Sequence, residues 1–139
     1  MARTAKPRSH CPISYSLDIV GDRWTLLVLR DLVIVRKRHF LEFLSAPEGI
    51  ASNILTARLK LLEAHGLVVR ERDPENARRV VYEPTAKALD LLPAMLELVR
   101  WGAMHDPKTA APRNFVQRIE KDRASVLAEI RAAHLPKRR

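Results

Sequence analysis

The sequence predicts a mainly α-helical domain with one small β-hairpin. Two observations carry most of that expectation. A short helical stretch at 40–46, a break at Pro47-Glu48-Gly49 and a longer helical stretch at 52–65 follow one another directly, which is the order of a helix-turn-helix. A Val-rich run at 67–72 without helical period, the turn residues Asp73-Pro74-Glu75-Asn76 and an apolar run at 80–83 come next, and read as a hairpin placed where a wing sits. The expected fold class is a winged helix-turn-helix.

Each element has a local reason. Residues 1–10 carry Arg3, Lys6 and Arg8 with little apolar content and read as a flexible basic arm. Residues 13–20 form a short helix that Gly21 ends, as suits a left-handed residue after a helix. Asp22 then caps a helix over 23–34, whose apolar residues lie nearly all round and mark it as the buried centre. Arg36-Lys37-Arg38-His39 is a basic connection into the short helix. Gly66 closes the 52–65 helix, with Ser52 as its cap. Thr85 caps a late helix that runs to about residue 104 and bends at Pro93. Leu89, Leu92, Leu96 and Val99 make one apolar stripe along it, and Leu91, Met95 and Leu98 make a second. One stripe packs on its own domain, and the other is assigned to a second copy of the chain. Residues 106–112 read as a linker, and 113–134 as an amphipathic helix with Phe115, Ile119, Val126 and Ile130 on one side. The expected organisation is thus an arm at 1–10, a winged helix-turn-helix domain with its dimerisation helix at 11–105, and a linker plus C-terminal helix at 106–139.

Composition narrows the function. The chain has 139 residues, 47% hydrophobic and 29% charged, as expected of one globular domain. Its net charge of +9 points to a polyanionic partner, with nucleic acid first. The longest apolar run, 26–35, is broken by Arg30 and Asp31, and no apolar stretch of the signal-peptide kind follows the basic N-terminus. No membrane association is expected, and the cytoplasm is the expected location. The one cysteine, Cys11, excludes an intrachain disulfide and a Cys-rich zinc site. The five histidines are scattered, the four glycines form no phosphate cradle, and no nucleophile elbow is present. Neither catalytic residues, a metal nor a cofactor is expected.

The 52–65 helix carries the functional reading. Successive residues about 100° apart put Ile54, Leu55, Leu59, Leu61 and Leu62 on one side, and Asn53, Thr56, Ala57 and Lys60 on the other. The second set is short enough for base edges to approach. Asn pairs with adenine, Lys with guanine or phosphate, and Thr or Ala meets a thymine methyl. The N–H groups beside Ser52 suit a phosphate. Arg58 lies within the apolar arc, so its head reaches either a phosphate or an internal carboxylate. The hairpin adds Arg70, Arg72, Arg78 and Arg79, the last two nearest the turn, where they meet a minor groove or the backbone. Arg36, Lys37, Arg38 and His39 are expected to touch the backbone beside the major groove, which positions without specifying sequence.

These stretches resemble the HxlR-type transcriptional regulators, within the MarR-like winged-helix group. The resemblance covers roughly residues 11–102. It rests on Cys11-Pro12, LDIVGDRWTLLVL at 17–29, Gly49-Ile50, LTARLKLLEAHGLV at 55–68, Val81-Tyr82, Pro84-Thr85 and Trp101-Gly102. Ala51-Ser52 stands where the family has Ser-Pro, a departure that allows the helix cap to shift by one residue. The resemblance implies a homodimer joined by its first and late helices, with two recognition helices on a palindromic operator. Repression is the default expectation, because an operator-bound dimer simply blocks polymerase. The dimer contacts expected are Ile13 and Leu17 on the first helix, and Leu92, Leu96, Val99 and Trp101 on the late one. Base contacts are implied near Ser52, Asn53, Thr56, Ala57 and Lys60, and wing contacts near Arg78 and Arg79. Cys11 matches the position where some members sense oxidants or electrophiles. A small-molecule effector is a further expectation, in a cavity enclosed by the dimer helices and the buried 23–34 helix. The competing reading is a winged-helix module that binds RNA or protein without operator specificity.

Overall fold

The computed structural model describes residues 6–134. Residues 1–5 of the expected arm at 1–10, and residues 135–139, lie outside the described residues. Arg8, within the arm, pairs through its guanidinium with Asp18 at 3.1 Å. The chain divides into two compact units, one ending at Ala88 and the other beginning at Leu89. Residues 89–105 of the expected late helix fall in the second unit.

In the first unit, α1 (Pro12–Val20) ends at Gly21. This glycine is right-handed, at φ −80°, not left-handed as expected. Its lack of a side chain is still needed, because a Cβ there would collide with the Leu17 carbonyl. The helix expected at 23–34 is split into α2 (Thr25–Leu29) and a π-helical stretch, Arg30–Val35. Asp22 starts it as expected: its carboxylate accepts from the backbone N–H of Trp24 at 2.9 Å and of Thr25 at 3.0 Å, and from the Thr25 hydroxyl. Arg36, left-handed at φ 69°, ends the π-helical stretch.

The helix-turn-helix is α3 (Phe40–Leu44) and α4 (Ser52–Ala64). Between them the left-handed Gly49 makes the turn that a side chain would strain. Val28 and Leu29 from α2 and Leu32 and Val33 from the π-helical stretch are buried core residues, as are Phe43, Leu55, Leu59 and Leu62. Full burial of each such side chain is worth about 1.5–3 kcal/mol. The hairpin is longer than expected. Strand β1 (Val68–Asp73) pairs antiparallel with β2 (Asn76–Pro84), from Val68 opposite Pro84 to Arg72 opposite Val80. The register then breaks, and Asp73 faces Asn76, so residues 77–79 have no partner in the ladder. The backbone N–H of Tyr82 donates to the Arg38 carbonyl at 2.8 Å, and its ring meets Phe43 edge to face, which ties the wing to the motif.

The late helix is broken. α5 (Ala86–Leu89) is a single short turn, and α6 (Leu92–His105) begins anew, with Pro93 in its first turn. The expected bend inside one helix is thus a break ahead of the proline, whose ring would clash with the Leu89 carbonyl and which cannot donate a helical hydrogen bond. The expected 113–134 helix also divides, into α7 (Arg113–Lys121) and α8 (Arg123–Ala133). Asp122 leaves the helical region at φ −150° and caps α8 by accepting from the Ser125 N–H. Leu92, Met95, Leu96, Ile119 and Val126 are buried. Since Leu92 and Leu96 are fully enclosed by their own chain, they are not available as the dimer contacts expected of them. The outward stripe of α6 is Leu98, Trp101 and Met104, while Val99 is half-buried; Ile13 and Leu17 on α1 are exposed.

Candidate nucleic-acid interface

Helix α4 begins without a side-chain cap. Ala51 is the capping residue and Ser52 the first helical one, so Ser52 does not cap, contrary to expectation. The first-turn N–H groups stay open to an outside acceptor. Asn53, Thr56, Ala57 and Lys60 recur at helical spacing and are all exposed, while Leu55, Leu59 and Leu62 are buried opposite them. The Thr56 hydroxyl donates back to the Ser52 carbonyl at 2.9 Å, which leaves its methyl group and oxygen lone pairs to a partner. Glu63 stands exposed one turn beyond Lys60 and sets an acidic end to this face.

Arg58 takes the internal branch of its two expected roles. Its guanidinium lies 3.4 Å from the Asp22 carboxylate, and its Nε is buried without a partner. Burial works to raise the Asp22 carboxyl, but the Thr25 hydroxyl, the Trp24 and Thr25 N–H groups and Arg58 together hold it below its usual range. One carboxylate thereby fixes the start of α2 against α4.

The basic connection and the wing divide into tied and untied cations. Arg38 donates to Glu83 at 2.5 Å, and Lys37 to Asp31 at 3.1 Å. The His39 ring stands between Glu42, at 2.7 Å, and Asp73, at 3.1 Å. Arg79 donates to the same Asp73 at 3.0 Å. Arg38 and His39 tie the entry of the motif to the wing, Arg79 closes on Asp73 within the wing, and Lys37 ties the connection to the π-helical stretch. The exposed side chains of Arg36, Arg70, Arg72 and Arg78 make no internal ion pair among the described residues, and neither does Lys60.

Sequence reasoning missed the acidic partners. Asp73 reads as a turn residue, yet it is buried, and the N–H of Glu75, then His39 and Arg79, keep its carboxyl ionised below the usual range. Asp31 is likewise buried between Arg30 and Lys37. Arg30 also forks onto Glu48 at 2.8 and 2.9 Å, which holds the Glu48 carboxyl down to about 2. The only signal for them was isolated acids within a basic neighbourhood.

Cys11 is exposed at the cap position of α1. The backbone N–H groups of Ser14, then Ile13, lower its thiol below the ordinary value.

A two-helix motif with an outward polar face, followed by an arginine-bearing hairpin, defines a winged helix-turn-helix transcriptional regulator of the HxlR/MarR type. The chain belongs to the HxlR-like helix-turn-helix family, whose sequence profile matches residues 19–110. It is 34% identical over 93 residues to the HTH-type transcriptional regulator sll1512 of Synechocystis sp., covering 67% of this chain and 68% of that one. Among solved structures it is similar to the redox regulator HypR in its oxidised form, with TM-score 0.60, 32% identity and coverage of 69% and 98% of the two chains. It is also similar to the reduced form of the transcriptional regulator YodB of B. subtilis, with TM-score 0.57, 25% identity and coverage of 73% and 99%. No helix among the described residues is long and apolar enough to cross a membrane, and no cluster of His, Cys, Asp and Glu among them is placed to hold a metal ion.

Proposed function

We propose that this chain is a cytoplasmic, homodimeric repressor that binds a palindromic operator in duplex DNA. The observation that carries the reading is the outer face of α4, where Ser52, Asn53, Thr56, Ala57 and Lys60 are exposed together above a fully leucine-lined inner face. Short polar groups on a helix that opens with free N–H groups suit a major groove. The untied arginines Arg70, Arg72 and Arg78 suit the neighbouring backbone and minor groove, with Arg36 as a further phosphate contact. Arg38, His39, Arg58 and Arg79 act by holding these elements in position. In the dimer, Ile13 and Leu17 of α1 and Trp101 of α6, with Leu98 and Met104 beside it, supply the apolar contact. An operator-bound dimer then blocks polymerase.

The test is a competition of duplex DNA, duplex RNA and scrambled duplex for the purified protein across a salt series. Preference for one DNA sequence that survives added salt supports the reading. Preference for RNA contradicts it, because the A-form major groove is closed to a helix.

A second observation favours control through Cys11, an exposed thiol with a lowered pKa in a chain similar to the redox regulator HypR. We propose that oxidation or alkylation of its thiolate changes operator affinity. Equal responses of the wild type and Cys11→Ser to diamide remove Cys11 from that role.

A further inference from the structure

We propose that the outer face of α7 is a second DNA-binding surface, one that grips the phosphate backbone of a duplex without reading its sequence. The proposal rests on the duplex reading of α4 above. Residues 111–139 lie past the stretch that the family profile matches, which ends at 110. They hold eight Lys or Arg against three Asp or Glu, so more than half of the net charge of +9 sits in this last fifth of the chain.

The fold uses only some of these cations. Arg123 donates to Glu97 at 2.6 Å, and Arg118 donates to Glu129 at 3.0 Å. Asp122 is turned onto the Ser125 N–H as the cap of α8. With these acids engaged, the exposed Arg113 and Lys121 make no ion pair among the described residues. Positions about 100° apart around a helix place both on one side of α7 with Asn114, Gln117 and Arg118, and Glu120 stands at its edge. All of these are exposed, whereas Ile119 on the opposite side is buried and Phe115 and Val116 are half-buried. Each of the five side chains donates hydrogen bonds. The helix opens at Pro112 without a side-chain cap, so its first-turn N–H groups are open as well.

Arginine, lysine, side-chain amides and helix-opening N–H groups are the donors that contact DNA phosphates. A lipid surface fits less well. A helix lying in a membrane interface inserts a free apolar side, and that side of α7 is already spent on packing through Ile119. Phosphate contacts add salt-dependent affinity and no preference among sequences. On this account α4 selects the site, and α7 adds grip on any duplex.

The experiment measures affinity for a duplex of arbitrary sequence across a salt series, by fluorescence anisotropy with full-length protein. It compares the wild type with the double variant Arg113→Gln, Lys121→Gln and with the double variant Lys108→Gln, Arg131→Gln. The second variant removes the same charge from exposed positions outside α7. The α7 variant is expected to lower the slope of log affinity against log salt by about 1.8, the worth of two phosphate contacts, and the other variant to leave it unchanged. Circular dichroism verifies that both keep their fold. In isotope-labelled wild type, the side-chain amide resonances of Asn114 and Gln117 shift when the duplex is added. An unchanged slope in the α7 variant, an equal fall in both variants, or unmoved Asn114 and Gln117 amides overturns the surface. So does capture of the wild type, but not of the α7 variant, by phosphatidylglycerol vesicles while the duplex slope stays the same, a result that assigns the face to lipid. Sequence preference is read separately: a wild type that prefers no duplex sequence defeats the operator reading of α4, while the slope and the amide shifts still decide for α7.

Discussion

Asn53 and Lys60 sit three and four residues either side of Thr56 and Ala57 on one exposed face, and neither is needed by the fold. Asn53→Ala is therefore expected to keep the melting temperature but to weaken operator binding by about 1–3 kcal/mol and relax the preference at one base pair, measured by fluorescence anisotropy against single-base operator variants. Glu48 has the opposite character, since it serves the fold through its ion pair with Arg30. Its carboxyl, at about 2 in the folded chain against an ordinary 4.5, is held by the Arg30 fork. A group lowered in this way stabilises fully above its unfolded value, and the contribution fades as pH falls from there towards the folded one. Glu48→Gln is expected to be less stable than the wild type at neutral pH by about 0.2–1 kcal/mol, a magnitude kept small by solvent at this half-exposed pair. Thermal melts of the two proteins should converge as the pH is lowered from about 4.5 towards about 2.

The wing is the element whose shape the sequence least disclosed. Its strands were legible from their Val content and turn chemistry, but the register break that releases residues 77–79 from the ladder was not, because it depends on which residues pair across the hairpin. The consequence falls on two neighbours: Arg79 turns back to the buried Asp73, while Arg78 stays free. Arg78→Ala is expected to lower the slope of log affinity against log salt by about 0.9 and to weaken all DNA sequences alike, whereas Arg79→Ala acts through the stability of the wing. The helices were legible in kind and less so in length. The split before Pro93 followed from a rule that allows either a kink or a break, and the split at Asp122 had only a capping residue as its signal. The leucine face of α4 was readable because a single period of apolar residues determines it, while ion pairs between residues as distant as His39 and Asp73 leave no periodic trace.

For the whole molecule, the proposal requires two copies. Of the two apolar stripes expected on the late helix, burial takes Leu92 and Leu96 from the first and Met95 from the second, and the apolar residues left exposed are Leu98, Trp101 and Met104, with Trp101 59% exposed. Trp101→Glu is expected to move the protein towards a monomer in sedimentation velocity and to reduce operator affinity, without loss of helical content. The charge of +9 alone would hold any duplex loosely, so charge does not distinguish a repressor from a nonspecific binder. On the proposed reading, the outer face of α4 makes that distinction. The most direct measurement is selection of bound duplexes from a randomised pool by the wild type and by Asn53→Ala in parallel. The expected result is an inverted repeat enriched by the wild type and degraded at one position in each half by the variant. An unenriched pool, or the same motif recovered unchanged by the variant, would contradict the assignment of α4 as the reading helix.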